Sequence, residues 1–347
     1  MLTEEQIQEI REHLEKAQNP LFFFDNDADG LCSFLLLRRF IGRGRGVAIK
    51  SFPDLQQSYA KKIHELSPDY VFILDKPIVS EGFLKEAEEL AVPVVWIDHH
   101  DADVPIHKSP IFWYYNSMKS KNPSSEPVTF WAYRVSKKKE DLWIALSGCI
   151  SDGYLPEFAK TAEKEYPELW SRVGSAFEGL YETGIGKVSR ILGFALKDRT
   201  SSVVKMIKFL FNASVQDVLH DNKKNTLLER FNQVDKLYQK LMEKARVCAD
   251  ESKLLYFQYG GELSLSADIA NELFYRFPEK VIVVAYISGT KANLSLRGES
   301  DVRELTLKAI EGIEGARGGG HKHATGAQVS VEDVPRFKEN LEKLLGK

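Results

Sequence analysis

Over the first hundred positions the apolar residues fall into short unbroken runs separated by stretches in which they recur every three or four positions. Runs at about 20–24, 47–52, 70–74 and 93–97 predict buried β-strands, and the stretches near 30–42, 56–67 and 80–91 predict helices. An amphipathic helix is expected at 3–17. Strands that alternate with helices predict an α/β fold built on a doubly wound, mostly parallel sheet. In such sheets ligands bind outside the carboxyl ends of the strands. The aromatic run Phe112-Trp113-Tyr114-Tyr115 is expected to be a core strand in preference to a base-stacking surface, and 116–127 a turn-rich surface loop.

Helical periodicity resumes at 127–136 and 140–150, and 155–250 is almost entirely helical and highly charged, with 225–247 readable as one long connecting helix. After Asp250 the texture changes: strands are expected at 254–257, 281–286 and 292–296, and helices near 266–276, 301–312 and 333–345. The expected division is a catalytic domain over 1–190, a helical connector over 191–250 and a second, smaller α/β domain over 251–347. No internal repeat or low-complexity tract interrupts this order.

Composition narrows the function classes. The chain has 347 residues, 43% apolar and 28% charged, as soluble globular proteins have. Its net charge of −3 excludes bulk polyanion binding, so contact with nucleic acid has to come from a local basic patch or from bound cations. Cys32, Cys149 and Cys248 are scattered and odd in number, which fits neither a disulfide framework nor a CxxC zinc site. Cys149 is expected to serve packing. A reducing, cytoplasmic location is expected. The first residues read as a helix start, not a signal peptide, and no apolar stretch approaches the roughly 20 residues of a membrane span.

The chemistry lies where the strands end. Leu21-Phe22-Phe23-Phe24 runs into Asp25-Asn26-Asp27-Ala28-Asp29-Gly30, Tyr70–Leu74 runs into Asp75, and Val92–Ile97 runs into Asp98-His99-His100. Each acid alone is readily explained as a helix N-cap or a turn residue. Together they are not, because two unit charges 4 Å apart repel by about 4 kcal/mol at an effective dielectric constant near 20. Asp27 and Asp29 would point the same way on extended backbone, or toward two neighbouring cations from a loop. Carboxylate oxygens with one or two imidazoles suit Mn²⁺ or Mg²⁺. Two such ions sharing a carboxylate are the usual device for phosphoryl chemistry. An EF-hand is excluded, because Gly30 leads straight into the apolar run 31–37.

DNDADG, Asp75, the IDHH tetrapeptide Ile97–His100, and Asp152 in Leu146–Gly153 resemble the four motifs of the DHH phosphoesterase superfamily. Arg317-Gly318-Gly319-Gly320-His321-Lys322 resembles the glycine-rich motif of its C-terminal DHHA1 domain. The motifs stand in the family's order, and the layout is most similar to RecJ-like exonucleases and oligonucleotide nucleases. The resemblance implies a catalytic DHH domain facing a DHHA1 domain across a cleft that holds nucleic acid, and a dinuclear centre with two Mn²⁺, or Mg²⁺, per chain. It implies that Asp75 bridges the ions, that Asp29, His99 and Asp152 complete one, and that Asp27 serves the other. His100 would lie near the scissile phosphate, with Asp98 orienting a neighbouring imidazole. The chain departs from the family at Phe23, where many members carry a histidine; Asp25 is then either the substitute ligand or a turn-former.

In the C-terminal region, bare glycine backbone can approach a phosphate closely and form an anion nest, with Arg317, His321 and Lys322 adding positive charge. Arg297, at a strand end, is expected to clamp a phosphate. Contacts of these kinds read no base edges, so weak sequence preference is expected. Arg38, Arg39, Arg43 and Arg45 are expected at a solvated helix end, with an approach path for substrate as the alternative, and Lys137–Lys139 in a solvated turn. The functional expectation is a metal-dependent phosphodiesterase that digests single-stranded DNA, RNA or short oligonucleotides from an end and releases nucleoside monophosphates. The alternatives are a phosphodiesterase for cyclic or linear dinucleotides or phosphoadenosine compounds, and a catalytically inactive Cdc45-like replication scaffold.

Overall fold

The structure is a computed structural model that describes residues 1–50, 55–102, 107–220 and 227–346. It divides into two compact units, Met1–Phe231 and Asn232–Lys347. The first opens with α1 (Glu4–Lys16), capped by Thr3 in a reciprocal box with Gln6. Then follow β1 (Pro20–Asp25), α2 (Ala28–Ile41), β2 (Arg45–Ile49), α3 (Lys61–Leu66), β3 (Tyr70–Leu74), α4 (Glu81–Glu89), β4 (Val94–Asp98) and β5 (Phe112–Asn116).

All four strand pairings are parallel, in the order β2-β1-β3-β4-β5. The second strand runs over 45–49, earlier than the expected 47–52, whose last two positions lie outside the described residues. Alternate residues of β1 serve opposite layers. Phe24 stacks on Phe34 of α2 at 4.8 Å, whereas Phe23 meets Phe83 of α4 edge-on at 5.3 Å. Each ring removed from water contributes about 2–3 kcal/mol. Phe23 is therefore a core residue, which gives a physical reason for finding no ligand there.

Register places the chemistry. Phe24 lies opposite Leu74, and Leu74 opposite Ile97. The next residue on each strand is Asp25, Asp75 or Asp98, so three acids emerge side by side at the carboxyl edge.

Helices α5 (Val128–Ser136) and α6 (Leu142–Ser151) pack against α2. Their close approach depends on Gly148, where a Cβ would come within 2.3 Å of Thr129 Oγ1 and 2.7 Å of Cys32 Cβ. Cys149 and Cys32 are buried packing residues. The segment before α5 is less of a surface loop than expected: Asn116, Ser117 and Glu126 are buried. Arg45 is exposed at the start of β2, but Arg38 and Arg39 in the last turn of α2 and Arg43 just beyond it do not form a solvated helix end either. Arg39 pairs with Asp141 at 2.7 Å, Arg38 stacks on Phe211 at 3.6 Å, and Arg43 Nε donates to Ala17 O at 2.6 Å. Apolar neighbours and orphan carbonyls nearby hold these guanidinium groups, a complementarity that a charge run does not reveal.

The remaining helices are α7 (Ala159–Glu165), α8 (Ala176–Glu182), α9 (Gly184–Ala195), α10 (Thr200–Leu210), α11 (Val215–Leu219) and α12 (Leu227–Val247), the last being the expected long helix less two positions outside the described residues. No helix among the described residues is long and apolar enough to cross a membrane.

The second unit contains β6 (Leu254–Gly260), α13 (Ser266–Arg276), β7 (Val281–Ser288), β8 (Lys291–Arg297), α14 (Val302–Ile310), β9 (Arg317–His321), β10 (Ala324–Ser330) and α15 (Val334–Leu344). Its sheet order is β6-β7-β8-β10-β9, with only the first pair parallel. Val283, Leu294 and Val329 of the strands and Val302, Phe337 and Leu341 of the helices share one core. The glycine-rich segment Arg317–His321 is an edge strand, not the expected loop. Glycines have low strand propensity. Here pairing with β10 imposes the extended form, and at Gly320, with φ +134°, a Cβ would fall 2.7 Å from Ala324 O.

Candidate metal centre

Asp27 is the N-cap of α2: its side chain accepts from Gly30 N at 2.9 Å. The helix begins at Ala28, so the two aspartates do not share extended backbone, and Asp29 sits in the first helical turn. Gly30 is obligatory, because a Cβ there would lie 2.4 Å from Asp25 O and 2.7 Å from Asp25 N. The turn can fold back on the end of β1 only without a side chain, and that holds Asp25, Asp27 and Asp29 together.

Asp29 is anchored from outside its own helix. Its two carboxylate oxygens accept Val128 N at 2.9 Å and Thr129 N at 2.8 Å, at the N-terminus of α5. Each oxygen keeps a further lone pair for an ion. Asp75 has a left-handed backbone, φ +57°, uncommon for a residue with a side chain. Buried Asp75 Oδ1 accepts no hydrogen bond of regular geometry, although His99 Nε2 lies 3.3 Å away. His99 Nε2 is 3.7 Å from Asp152 Oδ2, just past the end of α6.

Asp98 turns the other way. Its Oδ1 is 2.8 Å from His100 Nδ1, and its Oδ2 accepts from Asn116 Nδ2 at 3.1 Å and His100 N at 3.2 Å. A buried carboxylate thereby fixes one imidazole.

Two sets of ligand atoms result, each within 4.8 Å of one another: Asp29, His99 and Asp152, and Asp25, Asp27 and Asp75. A third set joins Asp75, Asp98 and His100. Electrostatics reports the crowding. Burial, then Asp152, push Asp29 up to about 6 against the anchoring hydrogen bonds. Burial and repulsion from Asp29 and Asp27 raise Asp75 well above the usual carboxylate range. Burial and the charges of Asp25 and Asp29 raise Asp27 as well; since Asp27 keeps an exposed face, the repulsion weighs more there. For His99 burial acts downward, but Asp152 and Asp75 outweigh it and raise the imidazole. Oxygen-rich, mutually repelling donors with an orphaned buried Asp75 oxygen fit a pair of hard divalent cations.

Asp25 is held by Lys76, the residue after Asp75. Lys76 Nζ donates to Asp25 Oδ1 and to Lys50 O, both at 3.1 Å, and the side chain is 0% exposed. Sequence reasoning missed Lys76, Asn116 and the α5 N-terminus. The available signal for Lys76 was its place as the one lysine or arginine in the three strand-end motifs.

The other expected site residues lie in the second unit. Arg297 ends β8, where Nε donates to Asn271 Oδ1 at 2.5 Å and Nη1 to Leu296 O at 2.8 Å. Gly318, Gly319 and Gly320 form the exposed body of β9, which His321 closes. Strand geometry alternates the N–H directions, so β9 offers an edge, not the expected nest.

These features define a class. Residues 21–145 match the DHH family, N-terminal domain, and residues 251–347 match the DHHA1 domain. The chain belongs to the DHH phosphoesterase superfamily and carries its DHHA1 domain. No curated protein matches it. Among solved structures, RecJ from Thermus thermophilus in complex with Mn²⁺ superimposes with a TM-score of 0.70 at 15% identity over 99% of this chain, which spans 55% of that protein. An exonuclease RecJ bound to manganese gives 0.67 at 16% identity, covering 100% of this chain and 96% of the other. An exopolyphosphatase-related protein from Bacteroides fragilis gives 0.52 at 15%, covering 100% of both. At these identities the likeness is one of fold.

Proposed function

We propose that the first unit is a dinuclear phosphodiesterase centre that hydrolyses single-stranded nucleic acid or short oligonucleotides from an end, as a RecJ-like exonuclease. The observation that carries this reading is the pair of ligand sets, Asp29–His99–Asp152 and Asp25–Asp27–Asp75, at one sheet edge. Asp75 belongs to one set and lies 3.3 Å from His99 of the other, so it is proposed as the shared ligand. Held by these carboxylates and His99, two Mn²⁺ or Mg²⁺ ions would supply Lewis-acid activation of water and charge neutralisation for an in-line displacement. The fold shared with manganese-bound RecJ structures supports the choice of ion.

The chain's own residues do the rest. Asp98 holds the His100 ring through Nδ1, and the imidazolium so oriented would donate from Nε2 to a phosphate oxygen. Asp29 stays in place through α5. In the second unit, Arg297 and the Gly318–His321 edge are assigned to the sugar–phosphate chain. None of these groups reads a base edge, so sequence preference should be weak. The complete acid and imidazole set argues against an inactive scaffold, and three free cysteines fit a reducing cytoplasm.

End-labelled DNA and RNA oligomers and dinucleotides, incubated with Mn²⁺ beside a D98A/H99A variant, test the proposal. Stepwise release of mononucleotides by the wild type and a loss of about two orders of magnitude or more in the variant are expected. Cleavage of dinucleotides alone would move the substrate to the small-molecule class. Equal turnover by the variant would refute the site.

A further inference from the structure

Among the described residues of the acidic centre, Lys76 is a buried cation that metal ligation does not explain. A fully buried lysine is rare unless paired. Lys76 is paired with Asp25, itself a member of the Asp25–Asp27–Asp75 set. Its main-chain carbonyl is tied as well, accepting from Trp96 Nε1 at 2.9 Å. The ammonium is thus fixed beside a metal subsite, on the side of Asp25.

The charge count gives this a purpose. The two ligand sets contain five carboxylates, Asp25, Asp27, Asp29, Asp75 and Asp152, while Asp98 is turned away to His100 and Asn116, and His99 as a ligand is neutral. With the Lys76 ammonium they leave four negative charges, which two divalent ions neutralise. Without it the loaded centre would hold a surplus anion in a buried place, at a cost. The ammonium acts unevenly, since bound to Asp25 Oδ1 it repels a cation in that set more than one in the Asp29–His99–Asp152 set.

We propose that Lys76 is a positioning and affinity-setting residue. It holds Asp25 and weakens the Asp25–Asp27–Asp75 subsite, so that the centre keeps one divalent ion tightly and exchanges the other. This rests on the dinuclear reading above. The rival account is a purely structural lysine that ties the end of β1 to Lys50.

Calorimetric and electron-paramagnetic-resonance titration of the metal-free full chain with Mn²⁺ separates the two. The wild type should take up two ions, the second more weakly. K76M should tighten the second event about tenfold or more, since it removes a neighbouring cation. D25N should weaken it, and D25N/K76M, which keeps the net charge, should return it to within about threefold of wild type. If K76M does not fold, the double variant against D25N reads the same term, again a gain of about tenfold. Unchanged or weaker second-ion binding on loss of the ammonium would overturn the proposal. Uptake of fewer than two ions by the wild type would overturn the dinuclear reading and the proposal with it.

Discussion

Replacing Asp75 by Asn should make the metal-free protein more stable and the metal-loaded protein less so. The substitution suits the backbone, because Asn tolerates the left-handed conformation that Asp75 adopts at φ +57°. Ligand atoms of Asp25, Asp27 and Asp75 lie within 4.8 Å of one another. At that distance two unit charges repel by about 3.5 kcal/mol for an effective dielectric constant near 20. Loss of attraction to His99 at 3.3 Å offsets part of the relief, and so does proton uptake by the crowded acids. A net gain of about 1–2 kcal/mol remains, or about 3–6 °C in midpoint for a unit of this size. Thermal unfolding at pH 8 in chelator and in saturating Mn²⁺ measures it. Manganese at about a hundred times its Kd adds about 2.7 kcal/mol to the wild type, and the variant forfeits most of that, so the order of midpoints should reverse. A variant that is less stable in chelator, or that manganese stabilises as much as the wild type, would refute the reasoning.

Asp29→Ala should behave in the opposite sense. It strands Val128 N and Thr129 N without their acceptor, so the metal-free protein should lose about 2 kcal/mol or more, read as a lower midpoint in chelator. Gly30→Ala forces a Cβ to 2.4 Å from Asp25 O; chemical denaturation should give a loss of about 2 kcal/mol, and Mn²⁺ affinity should fall as Asp25 shifts. The metal-free protein should be more stable at pH 6 than at pH 8.5. The raised carboxyls favour the folded state while protonated, a contribution that Asp29 loses as pH rises through about 6 and that Asp27 and Asp75 lose as pH rises through their own raised values, well above the usual carboxylate range. His99, raised above 6.5, acts in the same direction, its contribution full below that value and lost as pH climbs through the folded-state pKa. A midpoint that rises with pH in chelator would contradict this.

Much of the site was legible because it follows from period and register. Unbroken apolar runs mark doubly buried parallel strands, and equal registers put Asp25, Asp75 and Asp98 side by side. What escaped was what depends on partners remote in sequence. Asp29 is caught by the start of α5, a hundred positions away, and Arg39 by Asp141, neither of which a local pattern encodes. The glycines of β9 carry no strand signal of their own; their conformation is set by β10. Lys76 stood out only as a lysine beside an acid, and its burial against Asp25 comes from packing that no local pattern encodes.

The central claim is that the acids of the first unit hold two divalent ions. Crystals grown with manganese and measured for anomalous scattering test it most directly. Two peaks should appear, one among Asp29, His99 and Asp152 and one among Asp25, Asp27 and Asp75, with Asp75 touching both. No peak at either set, or a single ion elsewhere with these carboxylates hydrogen-bonded only to protein, would contradict the account.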